Sequence, residues 1–295
     1  MKRRIILAMV SFLLIIALFA RFSGREDKFF VDANGIAYYP SDRGTSHFKE
    51  KALLGDENYA ISLINFDSNG TTVYSKLWLP KGGGKFAALI FLPGAGGTKD
   101  AGKDYAQMLA GKGIAILALD QRGFGESKEK YPENLEGEYA HFLRGEEYFQ
   151  ILMVYDALRA YDLLSQRPDV DEGRIAVLGE SMGGRNALIA AEMEPRIRMA
   201  IGISTGGYGL PSTSNSNTTR FLRSFDPDNY IALISPRKVV IFHSENDGTQ
   251  PFEIGLRTFN YAKDPKTFYR VSCKSHGLCD EMGENIVKEL VDGLK

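Results

Sequence analysis

The chemistry of this chain centres on Gly179-Glu180-Ser181-Met182-Gly183, followed by Gly184. Gly-x-Ser-x-Gly is the pattern of a tight strand-to-helix turn that lifts a serine hydroxyl above a sheet. A serine needs a base to take its proton, and the base needs a carboxylate to fix its tautomer. The chain has four histidines. His47 lies in the N-terminal lead-in, His141 in an acidic segment, and His243 on or at the end of a strand, with the acid candidates after it. His276, in Ser272-Cys-Lys-Ser-His-Gly-Leu-Cys279, follows the last strand pattern and is the expected general base. Asp247 follows the preceding strand and is the expected partner acid, with Glu245 as its competitor. The chain order is then Ser181, Asp247, His276.

Attack on a carbonyl also requires donors for the developing oxyanion. The backbone N–H of Met182, at a helix start, supplies one. The second is expected from the loop Leu92-Pro-Gly-Ala-Gly-Gly97, with the N–H of Ala95 preferred and Gly96 next. This loop has neither a Gly-Lys-Ser/Thr ending nor G-x-G-x-x-G spacing, so it does not read as a phosphate cradle. Asp120 and Arg122 are read as braces for loops at the strand ends. No cofactor or metal is expected, since Cys273 and Cys279 are not spaced for zinc with so few histidines. Those cysteines admit either a disulfide or a pair of reduced thiols.

The elements that must hold these groups follow from the apolar pattern. Apolar runs at 87–92, 114–119 and 174–178 predict buried strands, and 199–203, 238–243 and 267–271 read as three more strands. Helical spacing is read over 104–110, 148–164, 186–191 and 282–294. Alternating residues on either side of Asn69-Gly70 predict a hairpin from Tyr59 to Leu79. The sum is a doubly wound, mostly parallel α/β sheet with an N-terminal antiparallel hairpin and no large cap domain. Residues 29–53 show little periodicity, 126–146 read as surface turns, and 205–219 as a mobile loop.

Length fits one domain, 29–295, behind a leader, 1–28. Met1-Lys2-Arg3-Arg4 is basic and Ile5 to Ala20 is apolar apart from Ser11. That is the pattern of an uncleaved signal-anchor with the catalytic domain outside the cytoplasm, the alternative being secretion after cleavage at Ala20. With one hydrophobic segment, a transporter or multi-span receptor is excluded. A net charge of −1 leaves no basic field for nucleic acid. The 44% hydrophobic and 25% charged content is that of a globular protein. No pattern sets an oligomeric state.

Four stretches carry a resemblance: Phe91-Leu-Pro-Gly-Ala-Gly-Gly97, Asp120-Gln-Arg-Gly-Phe-Gly-Glu-Ser127, the run from Arg167 to Gly184, and Phe242-His-Ser-Glu-Asn-Asp247. Together they resemble the α/β-hydrolase superfamily, nearest its dienelactone hydrolase, acetyl xylan esterase and prolyl oligopeptidase-like branches. Serine stands here where dienelactone hydrolases carry cysteine, and Pro93-Gly94 replaces the family's histidine-glycine start of the oxyanion loop. The resemblance implies the α/β-hydrolase fold and a serine carboxylic-ester hydrolase acting on a small-molecule ester. Peptidase or thioesterase activity, or an inactive scaffold, are the alternatives.

Overall fold

The computed structural model describes residues 28–127, 134–210 and 216–295. The leader reading, including Ile5 to Ala20, falls outside the described residues, apart from Lys28. Among the described residues, no helix is long and apolar enough to cross a membrane.

Nine strands form one sheet in the order β11-β10-β9-β8-β6-β7-β5-β4-β3. In chain order they are β3 (Phe48–Leu53), β4 (Tyr59–Ser68), β5 (Thr71–Pro80), β6 (Phe86–Leu92), β7 (Ile114–Leu119), β8 (Val170–Glu180), β9 (Met199–Ile203), β10 (Lys238–Ser244) and β11 (Lys266–Val271). From β6 to β11 all pairs are parallel; β3, β4 and β5 join antiparallel to one another and to β7. The hairpin expected at Asn69-Gly70 is β4–β5, with Ser68 opposite Thr71.

Successive side chains of a strand point to opposite faces, so a strand covered on both sides must be apolar throughout. In β6, Ala88, Ile90 and Leu92 enter one core while Leu89 and Phe91 enter the other. In β10, Val239 and Ile241 face the first core and Val240 and Phe242 the second. The helices divide accordingly. α3 (Phe149–Ser165) and α4 (Met182–Met193) cover the first face; α1 (Lys103–Gly111) and α7 (Gly283–Gly293) cover the second. Burying each large apolar side chain contributes about 1.5–3 kcal/mol, which is why this pattern sets the fold.

Three segments differ from their expectations. The lead-in is ordered: β1 (Phe30–Val31) pairs with β2 (Ala37–Tyr38), and β3 adds an edge strand. The ribbon is held by distant groups, Tyr230 Oη accepting from Ala37 N–H at 2.8 Å and Arg220 donating to the carbonyls of Val31 and Asp32. All of β3 is exposed, so it carries no alternation to read. The acidic stretch holds α2 (Leu135–Leu143), capped by Asn134 Oδ1 accepting from Gly137 N–H, with Glu136 and Glu138 favoured in its first turn by the helix dipole. In the 205–219 stretch, a short helix α5 (Asn217–Arg223) begins at the Ser216 cap, and residues 211–215 fall outside the described residues. A further helix, α6 (Phe252–Tyr261), fills the connection from β10 to β11.

Candidate active site

The register aligns the carboxyl ends of the parallel strands. Leu92 lies opposite Gly179, Glu180 opposite Ile203, and Ser244 opposite Val271. Everything that follows these residues therefore emerges along one edge: the loop after Leu92, Ser181, Ser204, Asp247 and the histidine loop. Strand order reverses between β6 and β8, and the crevice at such a switch point is where open α/β sheets bind ligands.

Ser181 sits between β8 and α4 with φ 55° and ψ −116°. A non-glycine residue in this region costs about 1–3 kcal/mol and persists only where its surroundings over-determine it. Here its N–H donates to Ile203 O at 2.8 Å, and its own carbonyl accepts from Thr205 Oγ1 at 2.8 Å. The flanking glycines allow the reversal: a Cβ on Gly179 would fall 2.1 Å from Gly183 O, and one on Gly183 the same distance from Leu92 O. Met182 opens α4, so its N–H has no acceptor within the helix.

The loop after β6 is a turn closed by Gly97 N–H donating to Gly94 O at 3.0 Å, with Ala95 and Gly96 at its exposed corner. A relay of amides ties it to α4. Asn186 Nδ2 donates to Gln121 Oε1 at 2.7 Å, and Gln121 Nε2 donates to Pro93 O. Both side chains are buried. The sequence reading assigned neither of them a role, because a lone Gln and a lone Asn carry no spacing signal.

His276 Nδ1 lies 2.9 and 2.8 Å from the two oxygens of Asp247. The Asp247 side chain is fully enclosed, whereas that of His276 is 22% exposed and so open to a substrate on one side. Burial pushes the Asp247 carboxyl up, but the N–H groups of Gln250 and Thr249 and the hydrogen bond with His276 outweigh it. They hold Asp247 below the ordinary aspartate range. Glu245, the competing acid, instead pairs with Arg270 at the surface. His243 is buried behind the pair, its Nε2 2.8 Å from Gln250 O and 3.8 Å from Asp247 Oδ2. His141 pairs with Glu146 and His47 is exposed, and neither pairs with Asp247.

His276 reaches the neighbourhood of Ser181 through Glu180, on whose carboxyl its charge bears. No hydrogen bond joins Ser181 Oγ to His276. Cys273 and Cys279 are disulfide-bonded, so the loop that carries His276 is clipped at both ends. Asp120 is a brace: it accepts from the N–H groups of Lys99 and Glu126 and from Lys99 Nζ. Arg122 is likewise locked on Asp156. No cluster of potential metal ligands exists among the described residues.

Sheet order, the elbow at the switch point and the mostly parallel core define the class: the chain has the α/β-hydrolase fold. Within it, the serine aminopeptidase (S33) family model matches residues 84–227. The uncharacterised protein YfhR of Escherichia coli (strain K12) is 24% identical over 266 residues, 86% of this chain and 84% of that protein. The acetyl xylan esterase from Paenibacillus sp. R4 superposes with a TM-score of 0.73 at 22% identity, covering 86% of this chain and 91% of the esterase. Esterase EstD of Thermotoga maritima is 31% identical over 129 residues, 41% of this chain and 27% of that protein.

Proposed function

We propose that the protein is a serine hydrolase that cleaves carboxylic esters of small acyl groups through an acyl-enzyme. The observation that carries this reading is the enclosed Asp247 bonded to His276 Nδ1, on the edge where the strained Ser181 emerges. Asp247 directs the free nitrogen of His276, Nε2, away from itself. When an ester enters, Nε2 takes the Ser181 proton as Oγ attacks the carbonyl, a contact that tightens on substrate binding. The Met182 and Ala95 N–H groups receive the oxyanion, each such donor being worth about 3 kcal/mol. His276 returns the proton to the departing alcohol, and water, activated the same way, releases the acid and frees Ser181. The acetyl xylan esterase and esterase EstD among the similar proteins support ester substrates. Among the described residues, the stretch from Ser181 to Asp247 holds no large cap, which supports an open site for small acyl groups.

A second reading, an aminopeptidase of the same fold, is favoured by the family whose model matches. Export to an oxidising compartment, with the domain anchored by Ile5 to Ala20, is supported by the basic-apolar leader and by the bonded cysteines.

The deciding experiment follows p-nitrophenol release from acetyl, butyryl and octanoyl esters by the full-length protein, with Ser181→Ala as control. Turnover by the parent alone, falling with chain length, is expected. Amino-acid nitroanilide cleavage without ester cleavage would favour the peptidase. Equal turnover by both proteins would remove Ser181 from the mechanism.

A further inference from the structure

His276 stands between two carboxylates, and only Asp247 has been given a role. The other is Glu180, the last residue of β8 and the neighbour of Ser181. Its carboxyl is half-buried and wedged against the histidine loop. A Cβ on Gly277 (φ 91°) would fall 2.1 Å from Glu180 Oε1, and the Leu278 N–H donates to the same carboxylate. A Cβ on Gly94, at the start of the oxyanion loop, would lie 3.7 Å from Oε1. Glu180 therefore adjoins three parts of the site: the elbow, the loop after β6 and the loop that carries His276.

The charge itself asks for an explanation. One backbone N–H would be served as well by a glutamine amide oxygen, without the several kcal/mol it costs to desolvate a carboxylate. Burial indeed pushes the Glu180 carboxyl up, and what opposes that is the positive charge of His276 and the Leu278 N–H. Among the described residues, no lysine or arginine forms an ion pair with it. The imidazole pairs with Asp247, behind which lies His243, and the exposed Lys274 stands two residues before it in the same loop.

We infer that Glu180 is a positioning residue of the hydrolytic site: it holds the histidine loop through the Leu278 N–H and sets a second negative charge beside His276. That charge favours the imidazolium, which at the working pH forms while His276 holds the proton taken from Ser181 or from the deacylating water. The proposal rests on the reading of His276 as general base.

The test replaces Glu180 by Gln in the full-length protein, which keeps shape and acceptor and removes charge. Histidine resonances are titrated by NMR in both proteins, and the acid limb of kcat/KM is followed on a p-nitrophenyl ester. Loss of a nearby negative charge should lower the His276 pKa and the acid limb together, by about one unit. Glu180→Asp, which restores a charge, should return both most of the way. An unmoved His276 pKa in a folded Glu180→Gln protein would reduce Glu180 to packing and overturn the inference. Should that variant not fold, the unsubstituted protein suffices: the Glu180 carboxyl carbon should show an inflection at the pKa of His276, and its absence overturns the inference. A moved His276 pKa without ester turnover by the parent would refute the esterase reading and leave the Glu180–His276 coupling standing.

Discussion

The backbone N–H of Gly277 donates to Ser204 Oγ over 3.1 Å, fastening the histidine loop to the end of β9 beside the elbow. Ser204 is fully buried, has φ 48°, and also hydrogen-bonds the Asp247 carboxylate. One hydroxyl thus bridges the acid and the loop of the base. Ser204→Ala leaves a buried N–H without a partner, at a cost of about 1–3 kcal/mol. The expected outcome is a lower melting temperature and a kcat reduced about 10-fold with KM little changed. Wild-type kcat would show that His276 is held without this bridge.

The amide relay from Asn186 through Gln121 to Pro93 joins the nucleophile helix to the oxyanion loop. Gln121→Ala strands both the Asn186 amide and the Pro93 carbonyl, so kcat should fall about 10-fold or more, at roughly 1–3 kcal/mol for unsatisfied buried groups. Because the two residues act in series, the Gln121→Ala/Asn186→Ala double variant should lose little beyond the single ones. Additive losses in a double-mutant cycle would break the relay into unrelated contacts.

The disulfide between Cys273 and Cys279 closes a seven-residue loop with His276 near its middle. The chain-entropy cost of opening so short a loop is only about 2 kcal/mol, so the fold should survive its loss while the base becomes less well placed. Reductant should lower kcat several-fold and reversibly. A Cys273→Ser/Cys279→Ser protein should start at that lower rate and no longer respond. Reductant-sensitive activity in the double variant would point to another cause.

Asp226 anchors the loop after β9, its Oδ1 accepting from Tyr208 and Asp228 N–H. Burial first, and then the neighbouring Asp228 charge, push its carboxyl up to about 7. In the unfolded chain it titrates near 4. Between those values the native protein holds a proton that the unfolded chain has released. The contribution to stability is therefore complete below about pH 4 and is lost as pH rises through about 7. Asp226→Asn keeps the acceptor and removes the charge, so its melting temperature should gain on the parent between pH 5 and pH 8. A constant difference across that range would show that Asp226 does not titrate there.

Much of this architecture was legible from residue order. The six strand readings became the six parallel strands, most of them apolar because a strand covered on both faces has no polar option, with β11 at the sheet edge keeping Lys266, Thr267 and Arg270. Asn69-Gly70 announced its hairpin for a similarly local reason, namely the positive φ both residues adopt. What stayed hidden had no local signature. β3 is exposed along its whole length and shows no alternation, and the β1–β2 ribbon depends on Tyr230 and Arg220, far along the chain. α2 lay inside a polar stretch whose helical signal is the Asn134 cap rather than an apolar face.

The site divides in the same way. The proposed triad of Ser181, Asp247 and His276 was chosen from type, order and position after strands, since a nucleophile elbow needs its glycines and each partner must leave a strand at one edge. Which groups steady them was decided by the tertiary structure alone. Glu180, Ser204, Gln121 and Asn186 acquire their roles only when the register brings the ends of β6, β8, β9 and β10 into line. Hydrogen bonds and charges act over a few ångströms of space, and the chain separation between these partners holds no trace of that distance until the sheet has formed.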